Sequence, residues 1–156
     1  MTFMSNISPR GVNLQQGETV TLFASAVRAV ATAGTNGTAV FLGGERRRFL
    51  WLLSLTDAGD AGGDTLDVYV DYSLDNLTYY NGVHFTQILG NGANTLAFFT
   101  VCDPTAGLVA DVDVTADAAV NTTRPALFGP YVRGRYVLVD GGGTHTFTFS
   151  LTGYAE

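Results

Sequence analysis

The sequence predicts an all-β domain, a two-sheet antiparallel sandwich or a barrel, with eight or nine strands and almost no helix. Three observations carry this. Apolar and polar residues alternate with a period of two in run after run. Glycine and Asn-Gly pairs punctuate the runs. No long amphipathic helix can be drawn anywhere in the 156 residues. That length suits one domain, and so many short strands within it point to a sandwich or barrel.

In order along the chain, residues 1–14 hold Phe3, Met4, Ile7, Val12 and Leu14 among polar residues and Pro9. They read as an N-terminal arm, followed by one sandwich domain over 15–156. Strands are predicted at 18–29, 38–42 and 46–55. FLWLLSL within the last lacks alternation, as in a central strand covered on both faces. One cover would be the second sheet, the other a loop or a neighbouring subunit. Residues 57–64, DAGDAGGD, read as a loop too rich in glycine to pack. TLDVYVDYS (65–73) places Leu66, Val68, Val70 and Tyr72 on a buried face and Thr65, Asp67, Tyr69, Asp71 and Ser73 on the other. Strands follow at 83–89, 95–102 and 107–114. Asn36-Gly37, Asn81-Gly82 and Asn91-Gly92 are placed at turns needing positive φ. From Thr115 to Pro130 the chain is irregular, with one helical turn expected around Ala116–Val120. RYVLV (135–139) and HTFTFSL (145–151) are expected to form a closing hairpin across Asp140–Gly143.

Composition narrows the function. Asp, Glu, Lys and Arg make up 14% of the chain, against about 25% in ordinary soluble proteins. All eight basic residues are arginine. A surface so poor in charge is readily buried against a partner. The net charge of −6 repels a phosphate backbone, so no nucleic acid partner is expected. No apolar run reaches the roughly 18 residues of a membrane span, so no membrane is expected either. The amino terminus has no basic segment followed by an apolar one, which predicts synthesis in the cytoplasm without a signal peptide.

Chemistry-bearing groups are few. Cys102 has His84 and His145 as candidate bases for a nucleophilic pair. The plainer reading makes Cys102 a small buried hydrophobe at the end of LAFFTVC. Asp111, Asp113 and Asp117 are weak candidates for calcium, as are Asp57, Asp60 and Asp64; neither group has the order of an EF-hand. Solvated turns are the default for both, and no cofactor and no catalytic residue is expected. Arg46, Arg47 and Arg48 could clamp acidic groups of a partner, or pair with aspartates of the same chain. Arg133 and Arg135 share one side of their strand. Tyr69, Tyr79, Tyr80, Tyr131 and Tyr154 could line a sugar-binding face or anchor a protein contact.

Two segments carry a resemblance. TLDVYVDYSLDNLTYYNGVHFTQI (65–88) resembles a pattern found in structural proteins of tailed bacteriophages. There a strand of type L-D-V-x-V-x-x-S leads through an Asp-containing turn and an aromatic position to a short strand ending in F-T. GPYVRGRYVLVDGGGTHTFTFSL (129–151) resembles the partner half, an arginine-bearing strand and an alternating Phe/Thr strand. The turn Asp75-Asn76-Leu77 lacks the usual glycine, and Tyr79-Tyr80 stands where tryptophan is common. The resemblance implies a jelly-roll-like virion protein, foremost a head decoration (cement) protein on the capsid surface. Its implied partner is the major capsid protein, and a homo-oligomer, foremost a trimer, is implied with it. Phe3, Met4, Ile7, Arg46–Arg48, Tyr79 and Tyr80 are the expected contact residues. A carbohydrate-binding sandwich module and a minor tail or neck component are the rival readings.

Overall fold

A computed structural model describes residues 17–29, 31–43, 48–58, 63–90, 95–106, 112–124, 127, 129–139, 141 and 146–156, with only the backbone at 31–33. The described elements are strands: β1 (Thr19–Arg28), β2 (Ala31–Asn36), β3 (Val40–Phe41), β4 (Phe49–Asp57), β5 (Thr65–Ser73), β6 (Tyr80–His84), β7 (Ile88–Leu89), β8 (Leu96–Cys102), β9 (Thr122–Thr123), β10 (Tyr131–Val139) and β11 (Phe147–Ala155). One sheet runs β1-β11-β4-β8; the other runs β2-β10-β5-β6-β9, with β3 and β7 attached at β10 and β5. Every pairing is antiparallel. Setting aside the two-residue strands β3, β7 and β9, successive strands change sheet at every step except the β5–β6 hairpin. That alternation is the jelly-roll arrangement, so the expected fold class stands.

The expected closing hairpin does not form. β10 pairs with β2 and β5, whereas β11 lies in the other sheet between β1 and β4. Both strands alternate cleanly, and alternation says which face is buried but not which strand is the neighbour. The 107–114 strand is not seen over 112–114, where the chain is irregular, and residues 107–111 lie outside the described residues. Asn81-Gly82 also falls elsewhere than expected, inside β6. A Cβ on Gly82 would lie 2.7 Å from the Tyr72 ring, so this glycine serves close packing at a bulge rather than a turn. The real β5–β6 turn uses Asn76 at φ 61°. Asp75 Oδ1 accepts from the amides of Leu77 and Thr78, and Ser73 Oγ accepts from those of Asp75 and Asn76. Those side-chain acceptors hold the turn without a glycine. Asn36 ends β2, Gly37 does not have positive φ, and Asn91-Gly92 lies outside the described residues.

Between the sheets lie Leu53, Leu55, Leu66, Val68, Val70, Leu138, Phe147, Phe149 and Leu151, all fully buried. Trp51 is their centre: it stacks on Phe49 at 5.4 Å and 14°, and its indole N–H donates to Tyr72 Oη at 2.8 Å. At one end Phe23, Tyr136 and Phe149 meet edge to face. The Arg28 guanidinium closes that cluster, 4.1 Å from the Phe149 ring centre, and donates to the carbonyls of Ala24, Ala26 and Phe149. Burial disfavours that charge and lowers the Arg28 pKa, and the ring faces and carbonyl acceptors offset part of the cost. Contrary to the expectation for 57–64, Ala58 and Asp64 are fully buried, and Asp64 Oδ1 accepts from the amide of Gly141.

Gly153 lies against Trp51, where a Cβ would come within 2.3 Å of the ring. Gly153→Ala is therefore expected to lower stability by about 1–3 kcal/mol through overpacking. The denaturation midpoint and the fluorescence of the single tryptophan both report it. An unchanged midpoint would show that the ring shifts freely.

Candidate interaction surfaces

The outer faces of the two sheets differ completely. On the first sheet, Phe49, Trp51, Leu53 and Leu55 of β4 point inward, leaving Leu50, Leu52, Ser54 and Thr56 outward. The same alternation turns Ala97, Phe99 and Val101 outward on β8, and Thr148, Ser150, Thr152 and Tyr154 on β11. Register aligns them into rows. Thr21, Thr152, Leu52 and Phe99 form one, and Thr19, Tyr154, Leu50 and Val101 the next. Neither row holds a charge. Phe99 is 74% exposed, with Leu52 and Tyr154 each at 40%. FLWLLSL is thus a central strand, as expected, but nothing among the described residues covers its outward side. Its lack of alternation in sequence comes from leucines on that open face.

The second sheet carries charge outward, but buries it. Asp67, Tyr69, Asp71 and Ser73, expected to face water, are all buried, with Asp71 only 2% exposed. Residues 116–124 cross over them and are pinned by side chains. His84 bonds the Ala118 carbonyl through Nδ1 at 2.8 Å and Asp67 through Nε2 at 2.9 Å. A carbonyl only accepts, so Nδ1 carries a proton; Nε2 facing a carboxylate carries the other, and the ring is an imidazolium. Burial opposes that charge, but the hydrogen bonds to Asp67 and Ala118 outweigh it and raise the His84 pKa. Asp67 shifts the opposite way: burial disfavours its charge, and His84 with Gln87 more than restores it, lowering the pKa. Asn81 accepts from the Ala118 amide, and Arg124 donates to the carbonyls of Asn81 and Ala116. With both backbone groups of Ala118 taken by side chains, the helical turn expected at Ala116–Val120 does not form; the stretch is irregular.

Arginines stack beside this network. Arg135 lies 3.9 Å from the Tyr69 ring centre and bonds Asp71 and Asp117; Arg133 lies 3.9 Å over Tyr79. Burial and the nearby Asp67 push the Tyr69 hydroxyl up to about 12. Tyr69 therefore belongs to the interior of the network, not to an exposed row of tyrosines. Tyr79 also donates to Asn76 Oδ1, and Tyr80 is half-buried on β6 opposite Tyr72.

The remaining candidates separate. Arg48 pairs with Glu156 of the same chain. Arg46, Arg47, Phe3, Met4, Ile7, Asp60, Asp111 and His145 lie outside the described residues. Asp113 caps a turn by accepting from the Thr115 amide and hydroxyl, while Asp117 holds Arg135. No group of acidic, histidine or cysteine side chains among the described residues converges as a metal site. Cys102 is buried against Tyr72 and Trp51, and burial pushes its thiol up to about 11. His84, with both ring nitrogens engaged elsewhere, is no base for it. Native protein at pH 8 is expected not to react with a thiol reagent, and to react fully once unfolded. Rapid native labelling would refute this placement of the thiol.

The polar network is the feature missed in the sequence. Its signal was present: carboxylates Asp67 and Asp71, four residues apart on one face of a strand, and arginines at alternate positions Arg133 and Arg135 of another. Opposite charges at strand period on two strands fit cross-strand pairing.

No family model and no curated protein matches the chain. Solved structures similar to it include two of infectious bursal disease virus proteins. One is the structure of infectious bursal disease virus Gx strain, with a TM-score of 0.48 and 9% identity over 97% of this chain. The other is the VP2 subviral particle of infectious bursal disease virus, with a TM-score of 0.46 and 11% identity over 97% of this chain. This chain spans 37% of the length of each.

Proposed function

We propose that this chain is a non-enzymatic structural protein of a virus particle, foremost a head decoration protein that binds and stabilises the shell of a tailed bacteriophage. The observation carrying the reading is the pair of charge-free rows on the outer face of β1-β11-β4-β8, with Phe99, Leu52 and Tyr154 open on them. An exposed apolar sheet face on a compact jelly roll is an interaction surface by default. Catalysis has no comparable support, since the Cys102 thiol is buried and His84 is tied into the strap over the second sheet.

In such a role the protein acts by mass action. Binding to the assembled shell and not to free subunits lowers the free energy of the shell against rupture. The major capsid protein is the partner this reading assigns. Mass spectrometry of purified particles from the virus encoding the chain is expected to find it at a copy number comparable to that of the major capsid protein. Particles lacking it would refute the role.

A further inference from the structure

We propose that Arg133, laid flat on Tyr79 beside the exposed leucines of the β5–β6 turn, is the docking point for a carboxylate of the shell protein. The assignment rests on the shell-binding reading and deepens it by naming the chemistry of one contact.

Arg133 is the described arginine with donors to spare. Arg28 and Arg124 donate to backbone carbonyls, Arg48 to Glu156, and Arg135 to Asp71 and Asp117. Arg133 makes no hydrogen bond. Asp71 lies 3.6 Å from its Nε, too far to accept, and is already engaged by Arg135 and Asn81. Nε is buried, so the 23% of the side chain still exposed lies elsewhere. The terminal amino groups, unbonded but not buried, are the donors left for a partner.

The guanidinium is also held in place. It lies 3.9 Å from the Tyr79 ring centre, and Tyr79 is fixed by donating to Asn76 Oδ1. Ser73 and Asp75 fix the turn itself, which spends the Asp75 carboxylate on the amides of Leu77 and Thr78. A preorganised group loses little freedom on binding. Its planar fork matches the two oxygens of a carboxylate.

The neighbours decide what bears that carboxylate. Leu74 and Leu77, on the same turn, are 71% and 85% exposed. A free anion or a phosphate backbone gains nothing from leucines, whereas a protein surface carrying an acid beside apolar side chains fits both. Arginine and tyrosine together are the usual anchors of such contacts. Trp51 bonds Tyr72 across the core. The outer row through Leu50 and Tyr154 and the turn after Ser73 thus sit at one end of the sandwich. One partner surface can meet both.

Co-sedimentation of the full chain with particles assembled without it tests the contact. Wild type is expected to bind, and Arg133→Gln to bind about tenfold more weakly or worse, as loss of one member of a charge pair does. Leu77→Glu and Leu77→Lys remove the same apolar contact on an exposed turn, so both should keep the wild-type melting temperature. Against an acidic partner, Leu77→Lys should bind more tightly than Leu77→Glu. Arg133→Gln binding like wild type, or equal binding by the two Leu77 variants, would overturn the contact and leave the shell role standing. Wild type that fails to bind particles would remove the shell role and this contact with it.

Discussion

Trp51→Ala is expected to destabilise the protein by about 3–5 kcal/mol, the range for removing a large aromatic from a core that cannot collapse around the gap. The residue is fully buried, stacked on Phe49 and hydrogen-bonded to Tyr72, with Gly153 shaped to its ring. Few neighbours can move in. Strands β4, β5 and β11 all meet there, so the loss weakens both sheets at once. Against a total stability of about 5–15 kcal/mol, the variant should be partly unfolded at physiological temperature. Tyr72→Phe separates packing from polarity: the ring remains, but the buried indole N–H loses its acceptor, a cost of about 1–3 kcal/mol. Urea denaturation of both variants checks the order. If Tyr72→Phe proved the more damaging, the hydrogen bond and not the stack would be the larger contribution.

His84→Ala is expected to cost about 3 kcal/mol, the lower end for breaking a buried ion pair, because Asp67 stays behind among buried neighbours. It should also loosen residues 116–124, whose Ala118 carbonyl loses its donor. Amide exchange over that strap is the sensitive readout. The pH dependence has a definite sign. His84 has a raised folded pKa, so its contribution is complete below about 6.5, the unfolded value, and is lost as pH rises through the folded value. Asp67 has a lowered folded pKa, so its contribution is present above about 3.9, the unfolded value, and is lost as pH falls through the folded value. The pair therefore stabilises most between those two unfolded values. His84→Ala should remove the decline on the alkaline side. A variant that kept the wild-type slope there would show that another group produces it.

Legibility of the sequence followed a physical line. Alternation in TLDVYVDYS and HTFTFSL gave the core faces correctly, since Leu66, Val68, Val70, Tyr72, Phe147, Phe149 and Leu151 are all buried. The opposite face of β5 was unreadable by that rule. Asp67 and Asp71 look solvated because carboxylates usually are, and only the strap from a distant part of the chain, with Arg135 and His84, satisfies them in the interior. FLWLLSL misled in the other direction, as its leucines include two that face outward.

Composition and periodicity alone determined that this chain makes strands, that they form a sandwich, and that its surface is poor in charge. Those are local properties, set by which side chains alternate and how many ionise. Which strands are neighbours, that β10 and β11 part into different sheets, and that a charged face is buried while an apolar one is open were decided only in the tertiary structure. Pairing depends on loops that carry no hydrophobic period, and on contacts between residues far apart in the chain. The period of two names a strand's inner face; what lies across from the outer face is fixed by the rest of the fold.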